Sequence, residues 1–426
     1  MIKLFFYTIL FSITLFARSS QPSNIPLPEV SVQDLDPYPC DAKCQQNYLK
    51  KGLIFSYLAH QDADTQAKML KSERISSVVV ASNDESVQEE NAQEEPQQEQ
   101  LQEQPQIDTK EARAYSSTKI RIALLLPHKT IGRYATSTTN ASFAYLMERG
   151  SPFELKSYKI ENQSHEEIQK ALSAIQADGF EYVIAPLTQA GEKIIAQINP
   201  ELFIYFPTIN KKDTQTSLSN FYYGAIDYRA QIDMLLEEAH PKLVIFCDES
   251  EVGRQLCAYE ETAFKQTHGS NVTKYVIAQK VANLDKEIKN NSKLRGSSVF
   301  LNTPVVKSGM VMSQLTLFDA KVTNILSAQA NYNPLLLTMT QYRDRKEMII
   351  ANSITQNNDA LIETNSVLEN DIVYDWINYT TTIGMDYFAW MISGDTRTYT
   401  LPVQENQMIY PVVLLKPETS RFIPYR

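Results

Sequence analysis

A serine and a lysine three residues apart on one helical turn can form an acyl-transfer site, because the amine takes the hydroxyl proton. Ser116 and Lys119 have this spacing in "SSTK", and "KSG" follows at Lys307–Gly309. The tetrapeptide stands at the end of a polar linker, directly before a strand, so the shared helical turn is missing. No Ser-x-Asn element accompanies it, and a motif without its structural context is chance. Paired carboxylates occur at Glu166/Glu167 and Asp248/Glu249. The first pair opens a helix, where acids complement the dipole. Asp248 ends a strand, where open α/β sheets hold ligands, although a turn or helix cap would use the same residue. With 12 Gly in the chain, phosphate-cradling loops are scarce, and no P-loop, Gly-x-Gly-x-x-Gly, Gly-x-Ser-x-Gly or His-Glu-x-x-His is present. Cys40, Cys44, Cys247 and Cys257 lack a second Cys/His pair at zinc spacing, and the five His are scattered. No catalytic residue, no metal and no cofactor is therefore expected, and the chain is not read as an enzyme.

The elements that would position any site begin after a secretory leader. Lys3 gives a basic start, Leu4–Ala17 is an apolar run too short to span a bilayer comfortably, and Ala17 and Ser19 fit a small-x-small cleavage site. The alternative is a retained anchor. No Cys stands directly after the apolar run, so no lipid attachment is expected. The expected mature chain is periplasmic and soluble, with no membrane span. In that oxidising compartment the local pairs Cys40–Cys44 and Cys247–Cys257 are the natural disulfides, one of three connectivities. The net charge of −10 argues against a nucleic-acid partner, which needs a basic face.

Residues 1–19 are thus the expected signal peptide, and 20–75 an extended segment plus an amphipathic helix, with Leu49, Leu53, Ile54, Tyr57 and Leu58 at helical spacing. Residues 76–117 form a Gln/Glu-rich linker, expected to be disordered because it has almost nothing apolar to bury. Its Pro96 and Pro105 interrupt any long helix. From residue 118 to 426, near-continuous apolar strands alternate with helices. "IRIALLLP", "YVIAPLT", "LFIYFPTIN", "KLVIFCD" and "GSSVFLNTP" are strand-like; "SHEEIQKALSAIQADG" and "VGRQLCAYEETAFKQTHG" are helical, as is "ANLDKEIKNNSKL". Such alternation implies parallel sheets covered on both faces. The fold class is α/β, with two doubly wound parallel-sheet lobes; a closed barrel is the runner-up.

The order of these segments resembles the type I periplasmic-binding-protein fold over residues ~119–426. "IRIALLLP" is similar to the family's first strand, "YVIAPLTQAGEKIIAQI" to the third strand and its helix with Ala185 where Gly is usual, and "NFYYGAIDYRAQIDMLLEEA" to the passage into the second lobe. "LVIFCDESEVGRQLCAYEETAFKQTHG" resembles the strand, turn and helix that follow. "FPTIN", ending in Asn210, and "IGMDYFAWMISGDTRTYTL" look like the C-terminal domain of lipoprotein activators of penicillin-binding proteins. In that subgroup the resemblance implies an envelope interaction module. The sequence departs from amino-acid receptors where Lys211, Lys212 and Asp213 follow Asn210, and where Val252-Gly253 replaces a Tyr-Gly turn.

Two functions follow. The first is a non-catalytic periplasmic adaptor or regulator of a cell-envelope machine, peptidoglycan synthesis among them, binding envelope protein partners. The alternative is a receptor that closes on a small-molecule ligand such as an amino acid, peptide or muropeptide. Its expected contacts are strand-end residues Thr130, Thr188, Gln189, Asn210, Thr214, Asp248 and Thr303, each of which could also serve as an ordinary loop cap.

Overall fold

The structure is a computed structural model that describes residues 42–51 and 118–425, apart from 279, 281, 282 and 357. The expected leader and linker, and Cys40, lie outside the described residues. Helix α1 (Ala42–Lys51) is part of the expected N-terminal helix, whose remainder also lies outside them.

The first lobe starts with β1 (Ile120–Pro127), the short α2 (His128–Ile131), α3 (Tyr134–Arg149) and β2 (Phe153–Ile160). Next come α4 (His165–Ala177), β3 (Tyr182–Ile184), α5 (Gln189–Ile198), β4 (Phe203–Phe206) and β5 (Phe221–Tyr223). The second lobe follows with α6 (Tyr228–Leu236), β6 (Leu243–Asp248), α7 (Glu251–His268), β7 (Val272–Ile277), α8 (Asp285–Ile288) and β8 (Ser298–Asn302). It continues with α9 (Val305–Leu317), β9 (Asn324–Ser327), α10 (Pro334–Met339), α11 (Tyr342–Arg345) and β10 (Met348–Asn352). The chain then returns through α12 (Asp359–Val367), α13 (Trp376–Ser393), β11 (Val403–Gln404) and β12 (Gln407–Met408), and ends in β13 (Val413–Pro417) and β14 (Phe422–Pro424).

Each lobe holds one sheet. The orders are β11-β12-β5-β4-β3-β1-β2 and β14-β13-β10-β9-β8-β6-β7. The central strands are parallel, and β11, β13 and β14 pair antiparallel at the edges. These are the two doubly wound lobes expected from the sequence, not a barrel. The chain passes between lobes after β5, after β10 and after β12.

Alternation along β1 shows why this sequence makes a doubly covered sheet. Ile120, Ile122, Leu124 and Leu126 enter the core under α3 and α13, while Ala123 and Leu125 enter the core under α4 and α5. Side chains on a strand point to opposite faces in turn, so a strand apolar at every position needs cover on both sides. In the second lobe, Val244 and Phe246 of β6 face one core, and Leu243, Ile245 and Cys247 the other.

The helices begin where the caps place them. The Ser164 hydroxyl accepts from the Glu167 N–H, and the Asp227 and Asp375 carboxylates cap α6 and α13 in the same way. One expectation fails: among the described residues of "ANLDKEIKNNSKL", Asp285–Ile288 alone are helical. Asn291 bonds the Glu287 carbonyl through its side chain, and Asn290 takes a positive φ of 57°. Paired asparagines thus offer the backbone a turn in place of a further helical turn.

The stretch "IGMDYFAWMISGDTRTYTL" anchors α13 in the first lobe. Asp386, fully buried, accepts from Tyr145 Oη at 3.0 Å, Thr398 N at 2.7 Å, Arg397 Nε at 3.1 Å and Tyr399 N at 3.3 Å. Arg149 extends the network, donating to Tyr145 Oη at 3.1 Å and pairing with Asp395 at 2.6 Å. Gly384 lets α13 lie against β4: a Cβ there would sit 2.3 Å from the Tyr205 ring, whose hydroxyl donates to the Thr380 carbonyl at 2.9 Å.

Candidate functional site between the lobes

In an open α/β sheet, the loops at the carboxyl ends of neighbouring strands part where the strand order reverses. In the second lobe that point lies between β6 and β8, and a cavity of 360 Å³ opens there. Its floor comes from the strand ends: Asp248 and Ser250 after β6, Asn302 and Thr303 after β8, Gln329 after β9. Its roof comes from Arg133 and Tyr134 at the start of α3 and from Tyr374, Asp375 and Trp376 at the start of α13. Tyr228 at the first crossing and Tyr332 complete the wall.

The polar groups of the floor are engaged with one another. Burial pushes the Asp248 carboxyl up, but bonds from the Lys307 amine and from Ser250 N (3.0 Å) outweigh it and hold it below its ordinary value. Gly253 is required beside it, since a Cβ would sit 2.7 Å from the Asp248 carbonyl oxygen. The Thr303 hydroxyl shares a bond of 2.7 Å with Ser308. Beneath them, Asn302 donates to the fully buried Glu260, whose carboxyl burial raises well above the usual range, and Cys247 and Cys257 are joined in a disulfide. At the second crossing Gln231 bonds Gln329 at 3.1 Å and Ser353 at 2.7 Å, and Gln329 bonds Asn352 at 2.9 Å.

The wall is aromatic. Tyr228 meets Trp376 edge-on at 6.2 Å between centroids, and Tyr332 lies 5.0 Å from Tyr374. The Arg133 guanidinium lies 5.2 Å from the Tyr134 ring centre. Burial pushes the Tyr332 phenol up to about 12, and the Tyr228 phenol higher still. The Asp375 carboxyl is raised chiefly by burial, against the pull of the Asn378 and Ile377 N–H groups it caps.

Of the seven contacts expected from sequence, Asp248 and Thr303 line this cavity. The other five do not. Thr130 is exposed on α2, and Gln189 is the exposed first residue of α5. Thr188 caps α5 and its hydroxyl donates to Gln163 at 2.9 Å. Asn210 is buried, donating to the Ala225 carbonyl at 3.1 Å and accepting from Lys212 N at 3.0 Å. The Thr214 hydroxyl donates to the buried Glu192 at 3.0 Å. Lys212 and Asp213 form ion pairs with Asp227 (2.5 Å) and Arg229 (2.8 Å), bracing the first crossing. The residues missed are Arg133, Tyr134, Tyr228, Tyr332, Tyr374, Asp375 and Trp376. The density of rings around an Asp cap in "VYDWINY" was the available signal.

Of the Ser-x-x-Lys pair, Lys119 pairs with Glu154 at 2.8 Å and Ser116 lies outside the described residues; Lys307 of "KSG" pairs with Asp248. Among the described residues no cluster of His, Cys, Asp and Glu could hold a metal, and no helix is long and apolar enough to cross a membrane.

No protein-family model and no curated protein sequence matches the chain. Solved structures do. The leucine-binding protein LivK of Thermotoga maritima superposes with a TM-score of 0.51 at 13% identity, over 72% of this chain and 98% of that one. LivJ of Streptococcus pneumoniae, solved with isoleucine, gives 0.53 at 8% identity, over 71% and 97%. The C-domain of LpoA from Haemophilus influenzae, a regulator of PBP1A, gives 0.50 at 10% identity, over 72% and 100%. The fold is thus that of the type I periplasmic binding proteins and of the LpoA C-domain.

Proposed function

We propose that this chain is an exported, non-catalytic adaptor or regulator of a cell-envelope machine, and that peptidoglycan synthesis is the process it serves. One observation carries the reading. At the strand ends of the first lobe, where a receptor would hold a solute, Thr188, Asn210 and Thr214 are each bonded within the chain. A polar group already paired gains little from a ligand. The likeness to the LpoA C-domain, a regulator of PBP1A, supports the same direction. The Gln/Glu-rich stretch at 76–117 fits it as well, because a self-repelling linker lets the N-terminal helix engage one partner while the lobes engage another. The test is binding of the mature chain, with and without residues 40–75, to the purified penicillin-binding proteins of its source. Saturable binding that alters the synthase's glycan-polymerising or cross-linking rate supports the reading. Absence of binding to every synthase removes it.

A second reading, a receptor for a small solute, is favoured by the inter-lobe cavity. Its 360 Å³ lies within the range of sites that enclose small ligands, about 300–1,000 Å³. A thermal-shift screen of amino acids and muropeptides tests it, since any ligand of the folded state raises the melting temperature.

A further inference from the structure

Resting on the reading of an adaptor that binds protein, one surface of the first lobe is fitted to that role. We propose that the end of this lobe remote from the cavity docks a cationic amphipathic helix of a protein partner, whose Lys and Arg side chains lie on Trp390 and Tyr387 and meet Glu181 and Glu201.

The surface is built by α13 and the starts of two strands. α13 begins at the cavity with Trp376, so Trp390 stands about 21 Å further along its axis, at about 1.5 Å per residue. Trp390 is 40% exposed. Rings continue from it into the sheet. Tyr387 lies 5.4 Å from Trp390 between centroids, Tyr222 lies 5.3 Å from Tyr387, and Tyr182 stacks on Phe203 at 5.1 Å. The buried Phe388 joins the two groups, 5.9 Å from Tyr222 and 5.2 Å from Tyr182. Tyr182, Phe203 and Tyr387 are half-buried. Exposed Trp and half-buried Tyr in one row give a partner large contact area at a low entropy cost.

The charge around the rings selects the partner. Glu181 stands directly before Tyr182 and Glu201 two residues before Phe203, both exposed, and neither has an ion pair among the described residues. The Phe203 N–H donates to the Glu181 carbonyl at 2.9 Å, so the two acids open neighbouring strands. Burial raises the Tyr182 phenol and the Glu181 charge adds to the rise, so that carboxylate acts on the ring beside it. The cations of this end are spent within the chain: Lys119 and Arg121 on Glu154, Lys156 on Asp178, Arg149 on Asp395 and Arg397 on Asp386. Arg397 shows what the rings accept, its guanidinium lying 5.2 Å from the Tyr387 ring centre. Ring faces and unpaired carboxylates both attract cations. A second copy of this surface would set the same carboxylates against each other, and like charges across an interface repel. An uncharged apolar helix would take water from Glu181 and Glu201 without replacing it. A helix with Lys or Arg beside its apolar stripe answers both halves of the surface.

The experiment uses the full mature chain and a synthetic amphipathic helix of Leu and Lys, about four turns long. A Leu/Glu helix of the same pattern and a peptide of residues 42–58 of this chain are the comparisons, and calorimetry is the readout. The Leu/Lys helix is expected to bind at least about tenfold more tightly than the Leu/Glu helix, and to weaken about fivefold from 50 to 300 mM salt. Trp390→Ala is expected to weaken it about tenfold. The double variant Glu181→Gln with Glu201→Gln, at exposed positions, is expected to fold normally and to weaken it about fivefold. No binding of the Leu/Lys helix, equal binding of the Leu/Glu helix, or unchanged affinity in both variants overturns the assignment. Tighter binding of the 42–58 peptide than of the Leu/Lys helix also overturns it, because the occupant is then this chain. If a synthase binds the parent and Trp390→Ala with equal affinity, this assignment falls and the adaptor reading stands. If no synthase binds while the Leu/Lys helix still binds the rings, the synthase reading falls and the surface stands.

Discussion

Replacing Asp386 by Asn tests how the "IGMDYFAWMISGDTRTYTL" stretch holds the first lobe together. One oxygen of Asp386 accepts from Tyr145 and Thr398, and an amide oxygen can keep both bonds. The other accepts from Arg397 Nε and Tyr399 N, and there an amide places a donor against two donors. The half-buried Arg397 guanidinium loses its counter-charge at the same time. Breaking a buried pair from one side costs about 3–5 kcal/mol. The four bonds at about 1.5–3 kcal/mol each would sum to more, but the desolvation of the carboxylate that Asn avoids offsets part of that sum. Urea denaturation followed by tryptophan fluorescence is the assay. The chain has 2 Trp, Trp376 and Trp390, and both lie on α13, so the signal reports the lobe in question. Arg397→Met, and the double variant, complete a cycle. The double variant is expected to lose at least about 1 kcal/mol less than the sum of the singles, because each single leaves the other charge unpaired. A loss below about 1 kcal/mol for Asp386→Asn, or strict additivity in the cycle, would refute the reasoning.

Gly384→Ala places a methyl 2.3 Å from the buried Tyr205 ring, so a loss of about 1–3 kcal/mol is expected from overpacking, seen as a lower melting temperature by circular dichroism. Removing the Cys247–Cys257 disulfide by paired Ala substitution frees a loop of separation 10, and should cost about 2–3 kcal/mol, measured against the oxidised parent. Glu260 has a folded pKa raised by burial above its ordinary value of 4.5. The folded carboxyl therefore keeps its proton after the unfolded one has lost it, and the group's contribution falls as pH rises above about 4.5. Glu260→Gln should gain stability relative to the parent from pH 4.5 to neutrality; a gap independent of pH would contradict this.

Much of the architecture was legible because strand burial leaves a direct trace. A strand such as "IRIALLLP", apolar at every position except Arg121, has to be covered on both faces, and Ser164 and Gly269 mark helix ends by chemistry local to them. The cavity was less legible. Asp248 and Thr303 were found because strand ends are visible in sequence. Tyr374, Asp375 and Trp376 reach the cavity only because the chain crosses back after β10 and starts α13 beside it. No local pattern encodes that return. Asn210 and Thr214 were placed at a cleft because hydroxyls and amides at strand ends commonly serve ligands; here Ala225 and Glu192, near or far in sequence, take them instead. The break of the helix after Ile288 shows the same limit, since side-chain bonds from Asn291 compete with the helical ladder.

The central claim is that the two-lobed chain acts on the envelope by binding protein. Its most direct test is cross-linking in the living source cell, followed by quantitative co-isolation of the tagged full chain from the envelope. The account predicts recovery of a peptidoglycan synthase at near-stoichiometric yield, reduced when residues 40–75 are deleted. Recovery of the chain alone, with a small solute retained in its native mass spectrum, would contradict it.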